Sequence, residues 1–209
     1  DSASLRSSIV SHAKTLGYVP SSARAAKATV DVTLNTNSST ATMPAGTVFS
    51  TTVGDTTFQF STIEAFTKSN TGNSIPFVGV DIYEGTFITT RYTVDSSDID
   101  QRFLLTDNRA DTSTLIVKVQ TSSTDSTSTT FTEATDITQV TSGSNVFFLQ
   151  EVEAGLFEVY FGDGVIGTAL SDDNIIILTY VVSNKSAANG ASIFTNVASI
   201  ASVTDISVA

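Results

Sequence analysis

The chain has 209 residues but no cysteine, no tryptophan, one histidine, one methionine and three prolines. Without cysteine there can be no disulfide staples, thiolate metal sites or cysteine nucleophiles. A single His12 excludes a multi-histidine metal site. It also sits on an apolar helical stripe, a packing position, which leaves any serine or threonine nucleophile without a base. No apolar run reaches the roughly 18 residues that a membrane-spanning helix needs. No basic stretch followed by an apolar core marks a signal peptide. Because the chain begins at Asp1 and its one methionine is Met43, it is expected to be a segment of a longer protein.

Charged residues are also scarce, at 15%, and unbalanced: the formal charge is −11. Residues 1–27 carry Arg6, Lys14, Arg24 and Lys27 against Asp1 alone, so the remainder is more acidic than the whole. An acidic body repels phosphate, so no nucleic-acid partner is expected, and no membrane. The basic arm is expected to lie against its own acidic body; an acidic neighbour is the alternative.

What remains is a chain of short extended segments. The one helical period falls at residues 4–16, where Leu5, Ile9, Ala13 and Leu16 form a stripe. Ser2 or Ser4 caps its start, and Gly17 and Pro20 end it. A helix this short must dock on something, either the β body or another chain. From Ala28 the period becomes 2, with Val30, Val32 and Leu34 on one face. Thr42 to Phe49 holds Pro44 and Gly46 inside an apolar run, a bend between short strands. Gly54-Asp55 is a turn, Phe58 and Phe60 share a face, and Ser61–Ser69 reads as a looser segment.

Ile75 to Val94 reads as a bent strand, or two strands broken near Glu84-Gly85. In it Val78, Val80 and Ile82 face one way and Phe77, Tyr83 and Phe87 the other. Gly79 and Gly85 mark a bulge or a close backbone approach. Residues 95–100 have only a faint likeness to a calcium loop and read as a surface loop. Phe103–Thr106 and the alternation at Leu115, Val117 and Val119 give further strands. Residues 121–130, nearly all Ser and Thr, read as a solvated loop. The C-terminal part reads as a meander of strands over 146–152, 156–161 and 174–183. The third of these is apolar on both faces and therefore central. Asn189-Gly190 is a turn.

The expected fold is mainly β, a β-sandwich-like domain or two linked β subdomains with one N-terminal helix. The expected divisions are 1–27 for the helix and linker, 28–195 for the β-rich region, and 196–209 for a last strand or a linker.

The chemistry is sparse. Gly162-x-Gly164-x-x-Gly167 spells a dinucleotide fingerprint, but no helix follows to hold a phosphate. Locally, Asp163-Gly164 reads as a tight turn of type I′ between two antiparallel strands. Glu151, Glu153 and Glu158 are close enough to share a face as paired carboxylates, or else to form a solvated acidic face. Asn37-Ser38-Ser39 and Asn184-Lys185-Ser186 match the glycosylation pattern. No catalytic residue, cofactor or metal is expected.

Two separated motifs bear a family likeness. Thr42 to Phe49, followed by Gly54 and Phe58-Gln59-Phe60, resembles the early PAGT-x-F…G…F signature of baseplate J-like proteins of contractile-tailed bacteriophages. Val146–Glu151 followed by Phe157–Gly167 resembles that family's later FGDG-x-x-G segment. Asn189–Ser192 resembles the turn after its next strand, and Arg6–Tyr18 resembles the wedge-protein branch of T-even-type phages. The likeness runs from about residue 4 to residue 195 and departs from the family at 121–130 and at Ser171–Asn174.

The resemblance implies a structural component of the tail baseplate wedge, located in the virion and assembled in the host cytoplasm. Its partners would be a second copy of itself, as a homodimer within a larger ring, and other wedge proteins. The ring would change shape when the sheath contracts, and no catalysis is implied. Pro44, Gly46, Gly162, Asp163, Gly164 and Gly167 would then serve backbone geometry, and Leu5, Ile9, Ala13 and Leu16 would dock the helix on a partner. The alternative is an all-β adhesin or carbohydrate-binding module, with Tyr83, Phe87 and Tyr92 as its aromatic platform.

Overall fold

The computed structural model describes residues 9, 12, 21–152 and 155–209. The helix expected at residues 4–16 lies outside the described residues except for Ile9 and His12, which are helical and exposed. Elsewhere the chain is mainly β, with fifteen strands among the described residues. It divides into two compact units, each built from two stretches of sequence. One unit comprises residues 1–23 and 88–180, the other residues 24–87 and 181–209. The expected divisions at 27 and 195 are linear, whereas these units are discontinuous in sequence.

The second unit begins with β1 (Lys27–Asn35), where alternation buries Val30, Val32 and Leu34. β2 (Thr40–Met43), β3 (Val48–Val53) and β4 (Thr56–Ser61) follow, with β3 and β4 joined as a hairpin through Gly54. Residues 61–69 are not loose throughout. β5 (Phe66–Ser69) pairs antiparallel with β2 in a two-stranded ribbon that matches Met43 to Phe66.

β6 (Ser74–Glu84) pairs with β1 but carries one extra residue. Val30 faces Val80 and Val32 faces Phe77, so Asp31 lies opposite both Val78 and Gly79. This bulge corrects the expected facing. Ile75 and Phe77 are buried before it, Val80 and Ile82 after it, and Val78 is 71% exposed. Gly79, at φ 69°, donates its N–H to the Asp31 carboxylate at 2.8 Å.

The C-terminal tail returns to this unit. β14 (Thr195–Asn196) pairs with β3, and β15 (Ile206–Val208) pairs with β1. The six-stranded order is therefore β14-β3-β4-β6-β1-β15, and the two edge strands come within 8 Å of each other. Met43, Phe49, Phe60, Ile75, Phe77 and Ile82 fill the interior, and Phe194 sets its ring edge-on to Phe60 at 5.0 Å.

The first unit holds most of a seven-stranded sheet. Its elements are β7 (Thr86–Thr93), β8 (Phe103–Leu104), β9 (Ala110–Gln120), β10 (Ser128–Glu133), β11 (Val146–Glu151), β12 (Phe157–Phe161) and β13 (Ile175–Val182). The order is β7-β13-β9-β10-β11-β12-β8, and the division between units runs through β7 and β13. β13, expected to be central, is an interior strand next to the edge strand β7, with Ile176, Leu178 and Tyr180 fully buried and Ile175, Ile177 and Thr179 half-buried. Ser128–Thr130, expected in the loop, instead belong to β10 and pair with β9. β10 and β11 run parallel, and the connection between them carries a 3-10 turn at Ile137–Gln139. β11 and β12 form the expected hairpin, but β12 continues to β8 and not to β13. The two edges of this sheet also approach each other: Tyr92 on β7 donates its hydroxyl to the Leu104 carbonyl at 2.7 Å and packs edge-on against Phe103 at 5.7 Å.

Candidate functional site

The PAGT stretch is a turn between β2 and β3. The Pro44 carbonyl accepts the Thr47 N–H at 3.3 Å, which puts Gly46 in the third position with φ 78°. Type II turns reserve that position for glycine. The same carbonyl accepts the Thr47 hydroxyl at 2.7 Å and the Thr62 hydroxyl at 3.0 Å, tying the turn to the end of β4. A side chain at position 46 would also meet the Phe87 ring, whose Cδ1 lies 2.8 Å from the ideal Cβ.

The FGDG-x-x-G stretch leaves β12 and forms a closed loop. It is not a two-residue hairpin turn, because β13 lies elsewhere in the sheet. Nor does Asp163 have the positive φ that a type I′ turn needs at both central positions. The Asp163 carboxylate instead accepts the N–H groups of Val165 and Ile166, each at 2.9 Å. Those two donors, Ile166 first, hold its pKa below the usual aspartate range. The Gly164 N–H returns to the Gly167 carbonyl at 3.0 Å, and Gly167 donates in turn to Thr141 at 3.0 Å. Gly164 and Gly167 have φ of 86° and 83°. Gly162 is needed for a different reason: its ideal Cβ would lie 2.3 Å from the backbone carbon of Gly167. The tip of this fixed loop presents Val165 and Ile166, which are 73% and 41% exposed.

Glu151 and Glu158 do not make a carboxylate pair. The β11–β12 register sets Gln150 opposite Glu158 and Glu151 opposite Phe157. Glu158 therefore shares a face with Gln150, while Glu151 points to the opposite face. Glu153 lies outside the described residues. Glu158 is a structural anchor. Arg102 donates Nε to both of its oxygens at 3.1 Å and Nη2 to Oε2 at 2.6 Å, and the Tyr160 hydroxyl adds a bond at 2.9 Å. The Arg102 bonds are the main reason the Glu158 pKa is lowered. Burial, followed by the neighbouring Glu158, raises that of Tyr160.

In the second unit, a residue that sequence reasoning did not single out carries a comparable load. Glu84 is fully buried, and its two oxygens accept the backbone N–H and the side-chain amide of Asn184, each at 2.8 Å. An open cleft of about 600 Å³ adjoins it, lined by Thr57, Gln59, Thr86 and Asn184 among others. A glutamate between two glycine-marked irregularities was the available signal. The amide of Asn184 is thus engaged within the second glycosylation pattern, while Asn37 of the first is exposed.

The three rings considered as a sugar platform each have a neighbour already. Tyr83 lies under the Lys27 ammonium at 5.7 Å, Phe87 packs on the PAGT turn, and Tyr92 packs on Phe103. Residues 95–100 form a self-bonded loop in which Asp95 accepts from Ser97. Among the described residues, no three His, Cys, Asp or Glu side chains are grouped to hold a metal ion, and no helix is long and apolar enough to cross a membrane. Compared with known proteins, the chain matches no family model, and no curated protein matches it significantly.

Proposed function

We propose that the chain is a structural component of a bacteriophage tail baseplate wedge, acting by self-association and by binding other wedge proteins. The family likeness of the PAGT and FGDG segments motivates the reading. The observation that carries it is the fixed apolar tip at Val165-Ile166. Two exposed branched side chains sit on a loop whose backbone donors and glycines leave it little freedom. Such a tip buries apolar surface in a partner with little ordering cost, and that is what an assembly contact requires. In this proposal Gly162, Asp163, Gly164 and Gly167 hold the tip, and Pro44, Gly46 and Thr47 hold the corner of the other unit. The helix stripe of Leu5, Ile9, Ala13 and Leu16 is a second docking element, and the ring rearranges when the sheath contracts.

The test is association of the full chain, alone and with the other proteins of its tail, followed by sedimentation velocity. A Val165→Asp/Ile166→Asp variant with an unchanged melting profile is expected to lose complex formation. Complexes that form equally well with this variant would remove the tip from the contact surface. A wild-type chain that joins no complex would overturn the reading itself.

A further inference from the structure

We infer that Asn189 is a self-modifying residue, converting to aspartate and isoaspartate through attack by the Gly190 amide. The Ala188 carbonyl accepts the Ala191 N–H at 3.2 Å, and the two residues between have the angles of a type II turn. Asn189 has φ −61° and ψ 136°, and Gly190 has φ 94°. In such a turn the amide of the third residue points away from the closing hydrogen bond. Accordingly, the Gly190 N–H has no hydrogen-bond partner among the described residues, and neither does the Asn189 side-chain amide. Both residues are exposed, and nothing lies within 4 Å of where a Gly190 Cβ would be. Glycine leaves the attacking nitrogen unhindered.

The reaction needs only water. The Gly190 nitrogen gives up its proton to solvent and forms a bond to Asn189 Cγ. The Cγ–Nδ2 bond breaks and the nitrogen leaves as ammonia, taking its extra proton from solvent. Water then opens the five-membered imide at one carbonyl or the other. The product gains one negative charge, and in the isoaspartate form the backbone of the turn is lengthened by one carbon. The same molecule holds a protected counterpart. At Asp163-Gly164 the amide donates to the Gly167 carbonyl and the carboxylate accepts two N–H groups, so neither reactant is free.

The experiment is incubation of the folded chain in mildly alkaline buffer, followed by peptide mapping with isoaspartate detection. Conversion at Asn189 is expected to outrun that at Asn37 and Asn73, the exposed asparagines followed by serine. Asp163 is expected to remain unchanged. Gly190→Ala is expected to slow the conversion, and Asn189→Gln to lose it. Because alanine is strained at φ 94°, the ranking within the wild-type chain is decisive independently of that variant. Conversion of Asn37 or Asn73 ahead of Asn189, or an unaltered rate in a folded Gly190→Ala chain, would overturn the inference.

Discussion

Gly85 and Gly162 are held by contact with backbone, Gly54 by conformation alone. An ideal Cβ at Gly85 would lie 2.2 Å from the Val182 carbonyl oxygen, and at Gly162 it would overlap the Gly167 backbone. Gly54 has φ 60° and open space around it. Gly85→Ala and Gly162→Ala are each expected to cost at least about 3 kcal/mol, because rigid main chain must move. Gly54→Ala should cost roughly 1–2 kcal/mol of left-handed strain. Urea denaturation of the three variants checks the order; a Gly54 variant as damaging as the other two would contradict it. Glu158 supplies the pH dependence. Its folded pKa is depressed, so the stabilisation is complete above its unfolded pKa of about 4.3 and is lost as pH falls through the lower folded value. Arg102 is half exposed, so solvent screens part of the pair, and Arg102→Ala is expected to cost about 1–2 kcal/mol. The variant's stability should also change less with acid than that of the wild type, as equilibrium unfolding at several pH values would reveal.

At the scale of elements, the sequence made the strands themselves legible, because alternation and turn residues are local signals. The hairpin of β3 and β4, the break at Glu84-Gly85 and the buried β13 all follow from such signals. Pairing does not. Nothing local distinguishes a β12 that continues to β13 from one that continues to β8. Gly79 marked the bulge, but its effect on facing was hidden, because Val78 reads as a core residue although one inserted residue turns it outward. The glutamates were misjudged for the same reason: a shift of one residue in register decides whether Glu151 and Glu158 share a face. Within the FGDG loop the glycines were visible, but the role of Asp163 as acceptor for two backbone donors was not, since aspartate also suits a simple turn. Asp163→Ala is expected to raise hydrogen exchange at Val165 and Ile166 selectively, with the strands of the sheet unaffected. Unchanged exchange at those two amides would show that the glycines alone hold the loop.

On the scale of the whole chain, the molecule is acidic and β-rich, and two of its buried carboxylates are committed to internal bonds. Glu84 and Glu158 are both buried and both fully engaged. Like-charge repulsion between copies follows from the net charge of −11. The proposed self-association would therefore rest on apolar contact and is expected to strengthen as salt screens the repulsion. The most direct measurement is the solution mass of the full chain by light scattering, across a concentration series and at two salt levels. A dimer or larger species, favoured by salt and abolished in the Val165→Asp/Ile166→Asp variant, is the expected result. A monomer at every concentration and both salt levels would contradict self-association as the chain's mode of action.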